Sequence, residues 1–145
     1  MNTEQVHANA DHATLYFNRR EDYFLVVVEA KKGYGRTEVG EPVKIAGGEF
    51  ENRICQVVSQ ALDSFHSNSP EDQIRRQPGE YQTFRKKHLS VGVQRQRSSG
   101  ELRIMPLHRL QGGYVGSLSE AIVVSAQEVP TKIAAAIREA FNVAT

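Results

Sequence analysis

Apolar positions change their period several times along this 145-residue chain. Ile54, Val57, Val58, Ala61, Leu62 and Phe65 recur at intervals of three and four, the spacing that lines one face of an α-helix. Ile133, Ala136, Ile137, Ala140 and Phe141 repeat that stripe, and Pro130 suits the first turn of the second helix, where its missing N–H is harmless. Residues 23–28 form a continuous aromatic and β-branched run, the pattern of a strand covered on both faces. Leu89, Val91 and Val93 alternate with Ser90, Gly92 and Gln94, which predicts a half-buried strand. Ser98, Ser99 and Gly100 then make a hairpin turn into a return strand at 102–105. Shorter strands are predicted at 13–17, 43–45 and 121–124. Residues 31–35 and 111–116 read as Gly/Tyr loops. Residues 80–88 read as a short helix with Tyr81 and Phe84 on one side.

The two halves align without a gap at an offset of 79 residues. Residues 24–28 face 103–107, Gly33 faces Gly112, and 41–45 face 120–124. Ile54, Val58 and Ala61 face Ile133, Ile137 and Ala140. Few residues are identical; the recurring feature is the order strand, strand, Gly/Tyr loop, short strand, amphipathic helix. The expected architecture is one α+β domain. A mixed or mostly antiparallel sheet of about six strands carries two main helices, largely on one side, as two pseudo-repeated ββ(loop)βα units. The units span 13–66 and 80–145. Residues 67–79, with two prolines and several charges, form a surface connector. Residues 1–12 are polar and expected to fray.

Composition narrows the function without choosing it. A single cysteine excludes an internal disulfide and a cysteine-only metal site. No run of 18 apolar residues offers a membrane span. The polar start carries no apolar signal core, so a cytoplasmic protein is expected. The formal charge of +1 hides an asymmetry: residues 1–72 hold 12 acids and 7 bases, and residues 73–145 hold 5 acids and 11 bases. That split can steer a charged partner or reflect an uneven scatter of surface charge.

Candidate chemistry is sparse. His7 and His12 sit in the polar start, and His66 follows a helix end beside Asp63. His88 and His108 flank predicted strands and are the pair from which a small hydrolase or nuclease would be built, with Glu101 as the accompanying acid. Cys55 sits within or beside the first helical stripe, as a small buried hydrophobe would. The 112–116 loop lacks the Lys-Ser/Thr ending of a P-loop; its expected job is a tight bend with Tyr114 pinned on the sheet or shown to a partner. Arg95, Arg97, Arg103 and Arg109 fit a solvated strand face. Without interleaved aromatics they are a poor nucleic-acid surface.

Tyr81, Phe84 and Lys87, then Leu89-Ser90-Val91, a variable hairpin, residues 102–107, the Gly112-Gly113-Tyr114 loop, the 121–125 strand and the terminal helix together resemble immunity proteins of contact-dependent growth inhibition systems. The resemblance covers residues 80–145 well and the first half by order of elements. It implies a cytoplasmic protein that binds the toxic C-terminal domain of a cognate toxin in a 1:1 complex. It implies no catalytic residue, metal, cofactor, small-molecule substrate, nucleic-acid partner or membrane. Many such toxins are nucleases with basic clefts, so carboxylates of the acidic half are the candidate contacts. These are Glu38, Glu41, Glu49 and Glu51 around the first Gly/Tyr loop and helix start, and Asp63, Glu71 and Asp72 at the other end of that helix. Tyr34 is the candidate aromatic anchor. Two alternatives stay open: the His88/His108 enzyme, and a structural protein that dimerises through its acidic and basic halves.

Overall fold

The computed structural model describes residues 9–145. Strand β1 (Ala10–Asn18) pairs on one side with β2 (Tyr23–Lys32) and on the other with β5 (Leu89–Gln96). Strand β2 carries β3 (Gly35–Glu38) and β4 (Val43–Ala46) on successive stretches of its far edge. Strand β6 (Glu101–Leu110) does the same with β7 (Gly113–Gly116) and β8 (Ile122–Ser125). Every pairing is antiparallel, and the sheet has eight strands rather than about six. Of the two extra strands, β7 lies within the stretch 111–116 expected to be a loop, and β3 begins at the last residue of the other expected loop, Gly35. They are four residues each, glycine-bearing and without buried residues, so they leave no hydrophobic alternation to read.

The repeat is a structural one. In the central β1–β5 ladder Ala13 pairs with Val93 and Thr14 with Gly92. Adding 79 to Ala13 gives Gly92 and to Thr14 gives Val93, so exchanging the halves maps this ladder onto itself. A pseudo-twofold axis therefore passes between those residues. The helices α1 (Phe50–Ser64) and α3 (Pro130–Val143) follow the same offset.

Alternation in the strands sorts the two faces of the sheet. Ala13, Leu15, Phe24, Val26, Val91, Val93, Leu102 and Ile104 pack against α1 and α3 in one core. Phe24 sits at its centre, 4.4 Å from Phe17, 4.3 Å from Phe50 and 5.5 Å from Phe141, ring to ring. Phe50 extends the α1 stripe one turn earlier than expected, and Pro130 opens α3 as expected. Arg138 of α3 lies over Phe50 and bonds Glu51, tying the second helix to the start of the first.

The third helix, α2 (Glu80–Lys87), is on the opposite face, where Phe84 meets Tyr16 edge-on at 4.8 Å. The two main helices share one side of the sheet as expected, and this short third helix takes the other. Residues 10–12 correct one expectation. They belong to β1, and Asp11 is buried against Arg95, Arg97 and His66, because ion pairing supplies what hydrophobicity does not. The rest of the expected frayed start, residues 1–8 with His7, lies outside the described residues.

Candidate functional site

The face opposite the main core is polar where it is covered by the connector. Asn68 donates to the Glu29 carbonyl, Ile74 N–H donates to the Glu38 carbonyl, and Val39 bridges Gln73. These bonds fasten residues 68–76 across the β2–β3 hairpin. Between connector and sheet lies a cleft of about 390 Å³ lined by Thr14, Tyr16, Glu29, Arg36, Glu38, Arg76, Tyr81 and Tyr114, among others.

Two carboxylates organise this cleft. Glu29 accepts from Thr14 Oγ1 at 2.7 Å and pairs with Arg36 Nε at 2.9 Å. Burial pushes the Glu29 carboxyl above its ordinary range, against the opposing pull of Arg36 and the Thr14 bond. Glu38 accepts from the Tyr16 hydroxyl at 2.5 Å and from Arg76 at 2.8 Å. Burial, reinforced by the Glu38 charge, holds the Tyr16 phenol well above its usual value. The Tyr114 phenol is pushed up to about 12, first by burial and then by neighbouring Tyr81. Its hydroxyl donates to the His88 carbonyl at 2.8 Å, so Tyr114 is pinned on the sheet.

His88 is buried beside this cleft, stacked on Phe84 at 3.9 Å. Its Nδ1 lies 2.7 Å from the Phe84 carbonyl, which only accepts, so Nδ1 carries the proton. Nε2 then accepts from the Tyr23 hydroxyl at 2.8 Å. His108 is on the other face, with the core residues Leu102 and Ile104 of the same strand, and bonds Thr145 and Glu120. Glu101, at the far end of that strand, is held by Arg103. The histidine pair of the enzyme alternative does not come together, because a strand's side-chain period of two sends the two rings to opposite faces.

The eight candidate contact residues divide. Tyr34 stands at the hairpin tip, 88% exposed. Glu41 follows the Val39–Gln73 bridge by two residues, and Glu71 and Asp72 precede it in the 3-10 turn Pro70–Asp72, all three exposed. Tyr34 is thus at the tip end of the β2–β3 hairpin, and the three carboxylates gather at its other end, around the Val39–Gln73 bridge. Glu38 is on the same hairpin but turned into the cleft. Glu49 and Glu51 are at the start of α1, facing Arg53 and Arg138. Asp63 is at its end, bonded to Arg95 at 2.8 Å. Among the described residues Glu41, Glu71 and Asp72 make no ion pair, whereas Glu38, Glu49, Glu51 and Asp63 each have an arginine of this chain.

The four arginines expected on a solvated strand face have separate partners: Arg95 and Arg97 turn to Asp11, Arg103 to Glu101, and Arg109 to backbone carbonyls of α2. Cys55 is half-buried against the core, its thiol pushed up by burial. The sequence reading missed the cleft residues Thr14, Tyr16, Glu29, Arg36 and Arg76. The available signal was the polar set Thr14, Tyr16 and Asn18 alternating with Ala13, Leu15 and Phe17 in a strand whose polar members are buried.

No protein-family model matches the chain, and no curated protein matches its sequence significantly. A solved structure is similar along the whole length. The protein of unknown function NMB0488 from Neisseria meningitidis superposes with a TM-score of 0.70 at 18% identity, covering 100% of this chain and 99% of that one. At that identity the likeness shows the fold. Among the described residues no helix is long and apolar enough to cross a membrane.

Proposed function

We propose that this protein is a cytoplasmic immunity protein that binds and neutralises the toxic C-terminal domain, a nuclease, of a cognate contact-dependent growth inhibition toxin. The observation that carries this reading is the β2–β3 hairpin with its connector: a tyrosine ring left 88% exposed at the tip, and three exposed carboxylates around the Val39–Gln73 bridge that form no ion pair among the described residues. An exposed tyrosine is the kind of side chain that supplies most of the energy at an interface. Exposed acids on the same hairpin and its connector steer a basic partner and match its charge. The connector, locked to the hairpin by the Val39–Gln73 bridge, presents this surface preshaped, which lowers the ordering cost of association. The resemblance of residues 80–145 to immunity proteins, with the first half following by order of elements, supports the same reading.

The test is coexpression with the toxin domain encoded immediately upstream. The expected result is rescue of growth and a 1:1 complex in sedimentation. Tyr34→Ala is expected to weaken the complex by about 2 kcal/mol or more, roughly thirtyfold. Glu41→Gln with Glu71→Gln and Asp72→Asn is expected to slow association and flatten its salt dependence. No complex and no rescue would overturn the assignment. A complex indifferent to all four substitutions would move the contact surface elsewhere.

A further inference from the structure

A second cavity lies away from the β2–β3 hairpin. It is an open pocket of about 590 Å³ where the β1–β2 turn meets the end of α2. Five cations line it: Arg19 and Arg20 from the turn, Lys86 and Lys87 from α2, and Arg109 from β6. All five are exposed, and among the described residues none of them forms an ion pair. Glu21 is the single acid of the lining. Arg109 is fixed in place, with Nη1 donating to the Arg85 and Lys86 carbonyls at 3.2 and 3.1 Å. Phe17 and Leu89 supply an apolar part of the wall.

Five cations against one acid, Glu21, give this cavity a positive potential that a bound anion offsets. We propose that this pocket binds a compact polyphosphate-bearing ligand of nucleotide size. The volume falls in the range of small-molecule sites. Charge gathered from three elements onto one pocket matches clustered phosphates better than an extended acidic peptide, whose backbone advances about 3.3 Å per residue and needs a groove. Arginine forks favour phosphate oxygens, and the lysines add point charge. The apolar wall gives a ligand's organic body a place that a bare phosphate chain does not use. Phe17, half-buried with one face stacked on Phe24, is the single aromatic ring of the lining, so successive bases find no run of stacking partners, which disfavours a nucleic-acid strand.

Calorimetry on the full chain at low and physiological salt tests this, with ATP, inorganic tripolyphosphate, an acidic peptide and a single-stranded RNA without terminal phosphates as probes. ATP and tripolyphosphate are expected to bind, more weakly as salt rises. Tighter ATP assigns the site to a nucleotide, and equal affinity assigns it to inorganic polyphosphate. The pairs Arg19→Gln with Arg20→Gln, and Lys86→Gln with Lys87→Gln, are each expected to weaken binding about tenfold or more. Both pairs alter exposed side chains and spare Arg109, and an unchanged melting curve checks the fold. No binding of either phosphate compound, affinity unchanged in either pair, or preference for the peptide or the RNA would overturn the proposal.

Discussion

Arg36 Nε sits 2.9 Å from Glu29 Oε2, so a side chain of the edge strand β3 reaches back to a carboxylate that β2 has buried. Burial nevertheless leaves the Glu29 carboxyl above its ordinary value. A raised folded-state pKa means the native chain holds this proton after the unfolded chain has lost it. The contribution of Glu29 to stability is thus fully present below the unfolded value near 4.5 and declines as pH rises through the higher folded value. Melting temperatures of the native protein minus those of Glu29→Gln are expected to fall across that window. A difference that rises with pH would refute the assignment.

His88 runs the other way. Burial holds its imidazole below the ordinary 6.5, against the opposing bond to the Phe84 carbonyl. Its stabilisation is fully present above 6.5 and is lost as pH falls through the lower folded value. Acidification below 6.5 is expected to lower the native melting temperature more than that of His88→Asn, which does not titrate there. Tyr23→Phe removes the donor to Nε2 and is expected to cost about 1–3 kcal/mol in urea unfolding, as for a buried acceptor left unmet.

Asp11 gathers Arg95, Arg97 and His66 from two directions and is itself buried. Asp11→Ala is expected to destabilise by about 1.5–3 kcal/mol, the range for charged hydrogen bonds lost from a protein. Hydrogen exchange should then rise first at the Ala10–Gln96 end of the β1–β5 ladder.

At the centre of the main core, Phe24→Ala removes a ring packed on Phe17, Phe50 and Phe141. A loss of about 3–5 kcal/mol is expected, seen as a lower urea midpoint with an unchanged slope.

Tyr34→Ala is expected to leave stability within about 0.5 kcal/mol, since the ring is 88% exposed. A large loss would mean that the ring serves the fold, and would remove the anchor from the proposed interface.

Much of this architecture was legible along the chain because it rests on local periodicity. The stripes from Ile54 to Phe65 and from Ile133 to Phe141 fix two helices and the face each buries, and their shared offset of 79 announces the pseudo-twofold. Short strands such as Gly35–Glu38 and Gly113–Gly116 carry no such period and exist because β2 and β6 offer them an edge. The side of the sheet taken by α2 was equally silent, since Tyr81 and Phe84 are apolar toward whichever face is available.

The sequence by itself determined the α+β class and the two-unit plan, both read from local periodicity that recurs in the two halves. Tertiary structure alone decided that Glu29 and Glu38 share a cleft, that His88 and His108 part to opposite faces, and that Arg19, Arg20, Lys86, Lys87 and Arg109 ring one pocket. The reason is physical. Strand pairing joins residues as distant as Ala10 and Gln96, and a charge's surroundings are set by those long-range neighbours rather than by the residues beside it in the chain.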